Sequence, residues 1–168
     1  MKKLMIAMIA VSGLCSAIWM DVSENDREFA RKAADAGLLE VRLGELAQKN
    51  GVSADVKKLG EHMVSDHSKA NNELKAIASK KGISLPSALG EKNQKKYNEL
   101  AAKKGADFDQ AYSEYMVEDH EMVISMFEKQ VKDGNDADLK AFAAKTKPTL
   151  DHHLHMSKET RDAVKKTK

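Results

Sequence analysis

The chain has 168 residues, 42% hydrophobic and 32% charged but only 5% aromatic, with two prolines and one cysteine. That length suits one domain around a single core, and a Lys/Glu/Ala/Leu-rich alphabet with so few prolines excludes sandwiches, barrels and disordered tails in favour of long helices. One cysteine excludes a disulfide framework, a Cys-ligated zinc site and a conventional iron–sulfur site, and a formal charge of +2 with no strongly basic stretch excludes a nucleic-acid footprint.

The first twenty residues stand apart. Met1-Lys2-Lys3 is a short positive start, Leu4 to Leu14 is apolar, and Cys15-Ser16-Ala17 supplies the small residues a signal peptidase needs. The pattern predicts a secretory signal over 1–17, cleaved after Ala17, and an exported protein of the periplasm or cell envelope. A retained anchor reaching Met20 is the rival, at the short limit for a span. Acylation at Cys15 is disfavoured by Leu14, where a small residue is wanted. Loss of Lys2 and Lys3 would leave basic and acidic residues in balance, 26 of each. The mature chain then contains no membrane span, and nothing in it names a protein partner.

Glu24 to about Asn50 reads as a first helix, with Phe29, Ala33, Gly37, Leu43, Gly44 and Ala47 on one stripe, Ser23 as its cap and Gly51 as its stop. Ser53 opens a second, with Val56, Leu59, Met63, Ala70, Leu74 and Ile77, ending near Gly82. Ile83 to Gly90 holds Pro86 and reads as a loop, and Glu91 to Lys104 as a short helix closed by Gly105. Asp107 starts a third long helix with Phe108, Tyr112, Tyr115, Met116, Val123, Phe127 and Val131 as its stripe. Gly134-Asn135 turns the chain, and Asp136 caps a fourth helix through Leu139, Phe142, Leu150 and Met156. Pro148 should remove one backbone hydrogen bond there and kink the helix.

The expected fold is all-α: two helical hairpins joined by a long crossover with a short extra helix, a ferritin-like four-helix bundle over 24–164 followed by a basic tail at 165–168. A weak internal repeat agrees, because Gly51-Val52-Ser53-Ala54-Asp55-Val56-Lys57-Lys58-Leu59 lines up with Gly134-Asn135-Asp136-Ala137-Asp138-Leu139-Lys140-Ala141-Phe142.

Polar residues that interrupt the apolar stripes carry the chemistry. Glu40, His67, His120 and His153 fall one per helix, and burying a carboxylate and three imidazoles is costly unless they find partners. One shared cation would serve all four. Glu40 lies 11 residues before Gly51 and His67 lies 16 after it; His120 lies 14 before Gly134 and His153 lies 19 after it. Both hairpins therefore carry the same five-residue offset, roughly 7 Å of rise. The lean of side chains toward their helix N-termini closes much of it. Gly37 and Gly44 flank Glu40, and two glycines in a helix interior need a reason: close helix approach beside the carboxylate, or room there for a ligand or water.

Tyr112 can donate a hydrogen bond near this layer. Asp66 and Asp151 are candidates to orient imidazoles, and His152 could substitute for His153 if Pro148 shifts the helix phase. The competing reading is a hydrogen-bonded polar layer that only fixes helix register, in a non-metal envelope interaction or stress module. Residues three before His67, His120 and His153 are Val64, Val117 and Leu150, so the carboxylates of a diiron Glu-x-x-His pattern are missing. One Glu and three His suit a single Zn, Fe, Mn or Cu ion. Met63, Met116 and Met156, one turn from the histidines, would favour copper if they were more than core filler. No nucleophile with its base and no glycine-rich phosphate loop occurs, which leaves redox chemistry at a metal as the one catalytic option.

The segments Glu40-Val41-Arg42-Leu43-Gly44, Met63-Val64-Ser65-Asp66-His67, Phe108-Asp109-Gln110-Ala111-Tyr112 through His120, and Pro148-Thr149-Leu150-Asp151-His152-His153-Leu154 resemble the exported bacterial family catalogued as domain of unknown function 4142. The matching positions are Glu40, Asp66, His67, Tyr112, His120, Pro148 and His153, and the resemblance covers about residues 24 to 160. It implies a ferritin-like helical bundle exported to the periplasm or outer membrane, with no settled activity.

Overall fold

Ser23 starts the first helix as a two-way cap. Its hydroxyl accepts from the Asp26 N–H at 3.2 Å and donates to the Asp26 carboxylate at 2.6 Å. The computed structural model describes residues 22–166, so the expected signal at 1–17 and the anchor to Met20 lie outside the described residues. Five helices follow: α1 (Glu24–Asn50), α2 (Ala54–Lys80), α3 (Glu91–Ala101), α4 (Gly105–Asp133) and α5 (Ala137–Lys166), with no strand among the described residues. No described helix is long and apolar enough to cross a membrane.

Helices α1 and α2 pack chiefly on each other, as do α4 and α5; α2 then rests on α5 and α1 on α4. The α1–α2 seam is tight because Gly44 and Gly60 face each other across it. A Cβ on Gly44 would stand 2.6 Å from the Gly60 carbonyl oxygen, and one on Gly60 would stand 2.7 Å from that of Gly44. Glycine's cost in a helix interior is thus offset by backbone approach one turn from Glu40. At Gly37, a Cβ would collide with the Asn71 amide.

Each hairpin turn is held by an aspartate from the other pair. Asp109, in the first turns of α4, accepts from the Ser53 N–H at 2.7 Å and the Val52 N–H at 3.1 Å. Asp26 of α1 accepts from the N–H groups of Asn135 and Asp136 and from Gln130 Nε2 at 2.6 Å. Asp26 and Asp109 stand as far apart in sequence as Gly51 and Gly134, so the internal repeat extends beyond the turns and has a physical purpose. Because the start of α4 meets the first turn and the start of α1 meets the second, the two turns lie at opposite ends. The chain from Lys81 to Lys104 runs between them, pinned to α1 where Asp35 accepts from the Gly90 N–H at 2.8 Å and Asn50 donates to the Lys103 carbonyl at 3.0 Å.

Several boundaries differ from expectation. Helix α3 stops at Ala101 rather than Lys104, and α4 begins at Gly105, whose φ of +58° redirects the chain. Ser53 makes no side-chain cap; its own N–H is instead held by Asp109. Asp136 does cap α5, accepting from Leu139 N–H at 3.0 Å, and α5 continues through Pro148 as a single helix. Val131 is exposed; Gln130 takes the inward position and bonds Asp26. Lys165 and Lys166 lie in the last turn of α5, and Thr167 and Lys168 of the expected tail lie outside the described residues.

The interior divides into two apolar clusters. One gathers Phe29, Leu74, Phe127, Leu139, Phe142 and Leu150. The other gathers Leu43, Leu59, Met63, Phe108, Tyr112 and Met116. Along every long helix the chain passes from one cluster to the other at the same place, and the polar residues sit at that boundary.

Candidate metal centre

Glu40 on α1, His67 on α2, His120 on α4 and His153 on α5 are all buried at the junction of the two clusters. The three imidazole centroids form a triangle with sides of 5.1, 5.5 and 5.8 Å. One ligand-capable atom from each of the three histidines lies within 4.8 Å of the others. Glu40 lies against two of these rings, with Oε2 2.6 Å from His67 Nε2 and Oε1 3.3 Å from His120 Nδ1. The five-residue offset in each hairpin is absorbed, and the four side chains meet.

Closeness here is not hydrogen bonding. His67 Nε2 and Glu40 Oε2 approach to 2.6 Å, yet neither atom has a hydrogen-bond partner. Neither do Glu40 Oε1, His120 Nε2, His153 Nδ1, Asp119 Oδ2 or the Tyr112 hydroxyl. Every buried, unpartnered side-chain polar atom found among the described residues belongs to this layer.

One nitrogen on each of two imidazoles is, by contrast, well engaged. His120 Nδ1 lies 2.8 Å from the Met116 carbonyl oxygen, which can only accept, so Nδ1 carries the proton and Nε2 keeps an inward lone pair. His153 Nε2 lies 3.1 Å from Asp66 Oδ2, which likewise puts the proton on Nε2 and the lone pair on Nδ1. Partners of this kind fix the tautomer and orientation of metal-binding histidines. Lys69, 3.2 Å from Asp66, balances that carboxylate's charge.

Burial sets the protonation states within the layer. Burial pulls the His67 imidazolium down to about 4, against the opposing charges of Asp119 and Asp66. Burial and the neighbouring His67 bring His153 to about 4 as well, and burial lowers His120. The imidazoles are therefore neutral near neutral pH, and their contacts with Glu40 are not salt bridges there. Burial raises the Glu40 carboxyl, with His120 opposing. Asp119 is pushed up to about 7 by burial and by the Glu40 charge. A carboxylate pair this deep calls for either a proton or a cation between its members.

Of the other residues singled out in the sequence, Asp66 supports His153, and Tyr112 is fully buried with its hydroxyl in the layer. Asp151 is turned outward and pairs with Lys147 at 3.0 Å. His152 is exposed; with His62 it lines an open surface cavity of about 460 Å³ between α2 and α5. Pro148 does not shift the phase of α5, so His153 and not His152 faces inward.

Asp119 escaped the sequence reading. It is buried, and it groups with Glu40 and His120 with one ligand-capable atom of each inside 4.8 Å. The Tyr115 hydroxyl donates to Asp119 Oδ1 at 2.8 Å and leaves Oδ2 free. The signal was present: Asp119 follows Tyr112 by seven and Tyr115 by four, the spacing of the buried stripe.

These features define an all-helical protein with a buried carboxylate–imidazole layer. Its sequence matches the family model described as a domain of unknown function, DUF4142, over residues 16–160, and the chain belongs to that family. No curated protein and no solved structure matches it.

Proposed function

We propose that Glu40, His67, His120 and His153 hold one transition-metal ion, from among zinc, iron, manganese and copper, in a protein concerned with metal handling or stress protection rather than turnover. The observation that carries this reading is the set of seven buried side-chain atoms without hydrogen-bond partners, all in one layer. Native interiors leave few such atoms, and a cation satisfies several lone pairs at once. The tautomers fixed by Met116 and Asp66 aim imidazole lone pairs at the same space. The helix order supports a ferritin-like reading of the fold, in which Lys81 to Lys104 is the crossover between hairpins. The apolar start of the chain supports export to the periplasm or cell envelope.

The competing reading, a structural layer in a non-metal envelope module, draws on the raised Asp119 carboxyl, because a proton shared with Glu40 would bridge the pair. Metal analysis of the purified protein separates the two. Stoichiometric metal that disappears in both Glu40→Ala and His120→Ala is the expected result. A protein that resists loading with each of the four metals, and is merely destabilised by those substitutions, would make the layer structural.

A further inference from the structure

We infer that Asp119 is a fifth donor to the proposed ion, held in place by Tyr115, and that the centre is built for a divalent cation in five-coordination or higher rather than for Cu(I). The inference rests on the metal reading above and extends it from four ligands to five.

Three observations converge. First, Asp119 is 6% exposed, and its Oδ2 has no partner, while its Oδ1 is fixed by the Tyr115 hydroxyl at 2.8 Å. A carboxylate anchored by one oxygen with the other left bare is the arrangement expected of a monodentate ligand supported from behind. Second, the bare oxygen points to the right neighbours: ligand-capable atoms of Glu40, Asp119 and His120 lie within 4.8 Å of one another, as do those of His67, His120 and His153. His120 has only Nε2 to offer, because Nδ1 is committed to the Met116 carbonyl. The two groups share His120, and Glu40 of the second lies 2.6 Å from His67 Nε2 of the first, so Asp119 stands beside the same layer of donors.

Third, charge selects the cation. Three neutral imidazoles with Glu40 alone would leave a divalent ion with a net positive charge in an interior where Glu40 is 1% exposed. Adding Asp119 brings the sum to zero, which removes most of the penalty of burying the ion. The same two carboxylates would make a Cu(I) site net negative, and their hard oxygens suit divalent iron, manganese, cobalt or zinc better. Met63 and Met116 belong to the apolar cluster beneath the layer, and it is the Met116 carbonyl that contacts His120.

Cobalt(II) chloride is the probe, because its visible absorption is intense in four-coordination and weak in five or six. The full chain should bind one Co(II) with weak bands. Asp119→Asn should then strengthen the bands or lower Co(II) affinity at least tenfold. Tyr115→Phe, which keeps the carboxylate but removes its support, should weaken binding by about tenfold. Tyr115→Phe carries the decision if circular dichroism shows that Asp119→Asn fails to fold. Unchanged spectrum and affinity in the folded variants would overturn the fifth-donor assignment while leaving the four-ligand centre standing. Failure of the unaltered chain to take up Co(II) would instead retire the metal reading, and this inference with it.

Discussion

Asp26 and Asp109 lie as deep as Glu40 and Asp119, with exposures of 0% and 2% against 1% and 6%, yet the two pairs live in opposite circumstances. Asp26 is ringed by donors: Ser23, Gln130 and the N–H groups of Asn135 and Asp136. Burial pulls its carboxyl up, but these hydrogen bonds outweigh burial and hold it below its ordinary value. Asp109 does the same service for Val52 and Ser53 at the other end of the molecule. Glu40 and Asp119 have three acceptor atoms without a donor, and burial drives both carboxyls up. Depth alone therefore says little about purpose. A buried carboxylate surrounded by the chain's own donors ties the fold together, whereas one left bare beside imidazoles is what the proposed metal centre requires.

The sharpest way to break that contrast is to remove Asp109. Asp109→Ala strands the Val52 and Ser53 N–H groups and should cost about 3 kcal/mol in urea unfolding, with the metal bound per folded chain unchanged. Loss of metal without loss of stability would reverse the assignment. Gly60→Ala should cost about 2 kcal/mol by forcing α1 and α2 apart, and because the contact lies one turn from Glu40, metal affinity should fall with it. A variant as stable as the parent would show that the seam is looser than the 2.7 Å approach implies.

Metal-free Glu40→Gln should move the other way. It removes a charge that has no donor and should gain on the order of 1 kcal/mol, measured by the same unfolding experiment. A loss of similar size would place Glu40 with the structural aspartates. The smallest effect concerns acid. Asp26 has a folded pKa below its ordinary 3.8, so its contribution is complete above that value and fades as pH falls through the folded pKa. Asp26→Asn should be less stable than the parent at neutral pH, and the gap should close in strong acid. A gap independent of pH would mean that the carboxylate's charge plays no part.

Much of this arrangement was legible before any coordinates. Glu40, His67, His120 and His153 stand out because each interrupts an apolar stripe, and helical period is the strongest local signal a sequence carries. Helix ends were readable at Ser23, Gly51, Gly134 and Asp136, where capping chemistry is local. The roles of Asp26 and Asp109 were not legible, because their partners lie in turns more than fifty residues away. Val131 and Gln130 were exchanged for a similar reason: apolar periodicity favours valine, but the buried Asp26 carboxylate needs an amide donor. Asp119 was hidden by convention. A charged residue beside a histidine reads as solvated, although its spacing from Tyr112 and Tyr115 matched the core.

The central claim is that a single ion fills the space between the two apolar clusters. Anomalous diffraction from crystals of the metal-loaded protein addresses it directly. One peak should stand about 2.1 Å from His67 Nε2, His120 Nε2 and His153 Nδ1, with a Glu40 oxygen in the same shell. Density for nothing but water there, hydrogen-bonded to the same atoms under saturating metal, would mean that the layer is a wet polar plate between two cores and no metal site at all.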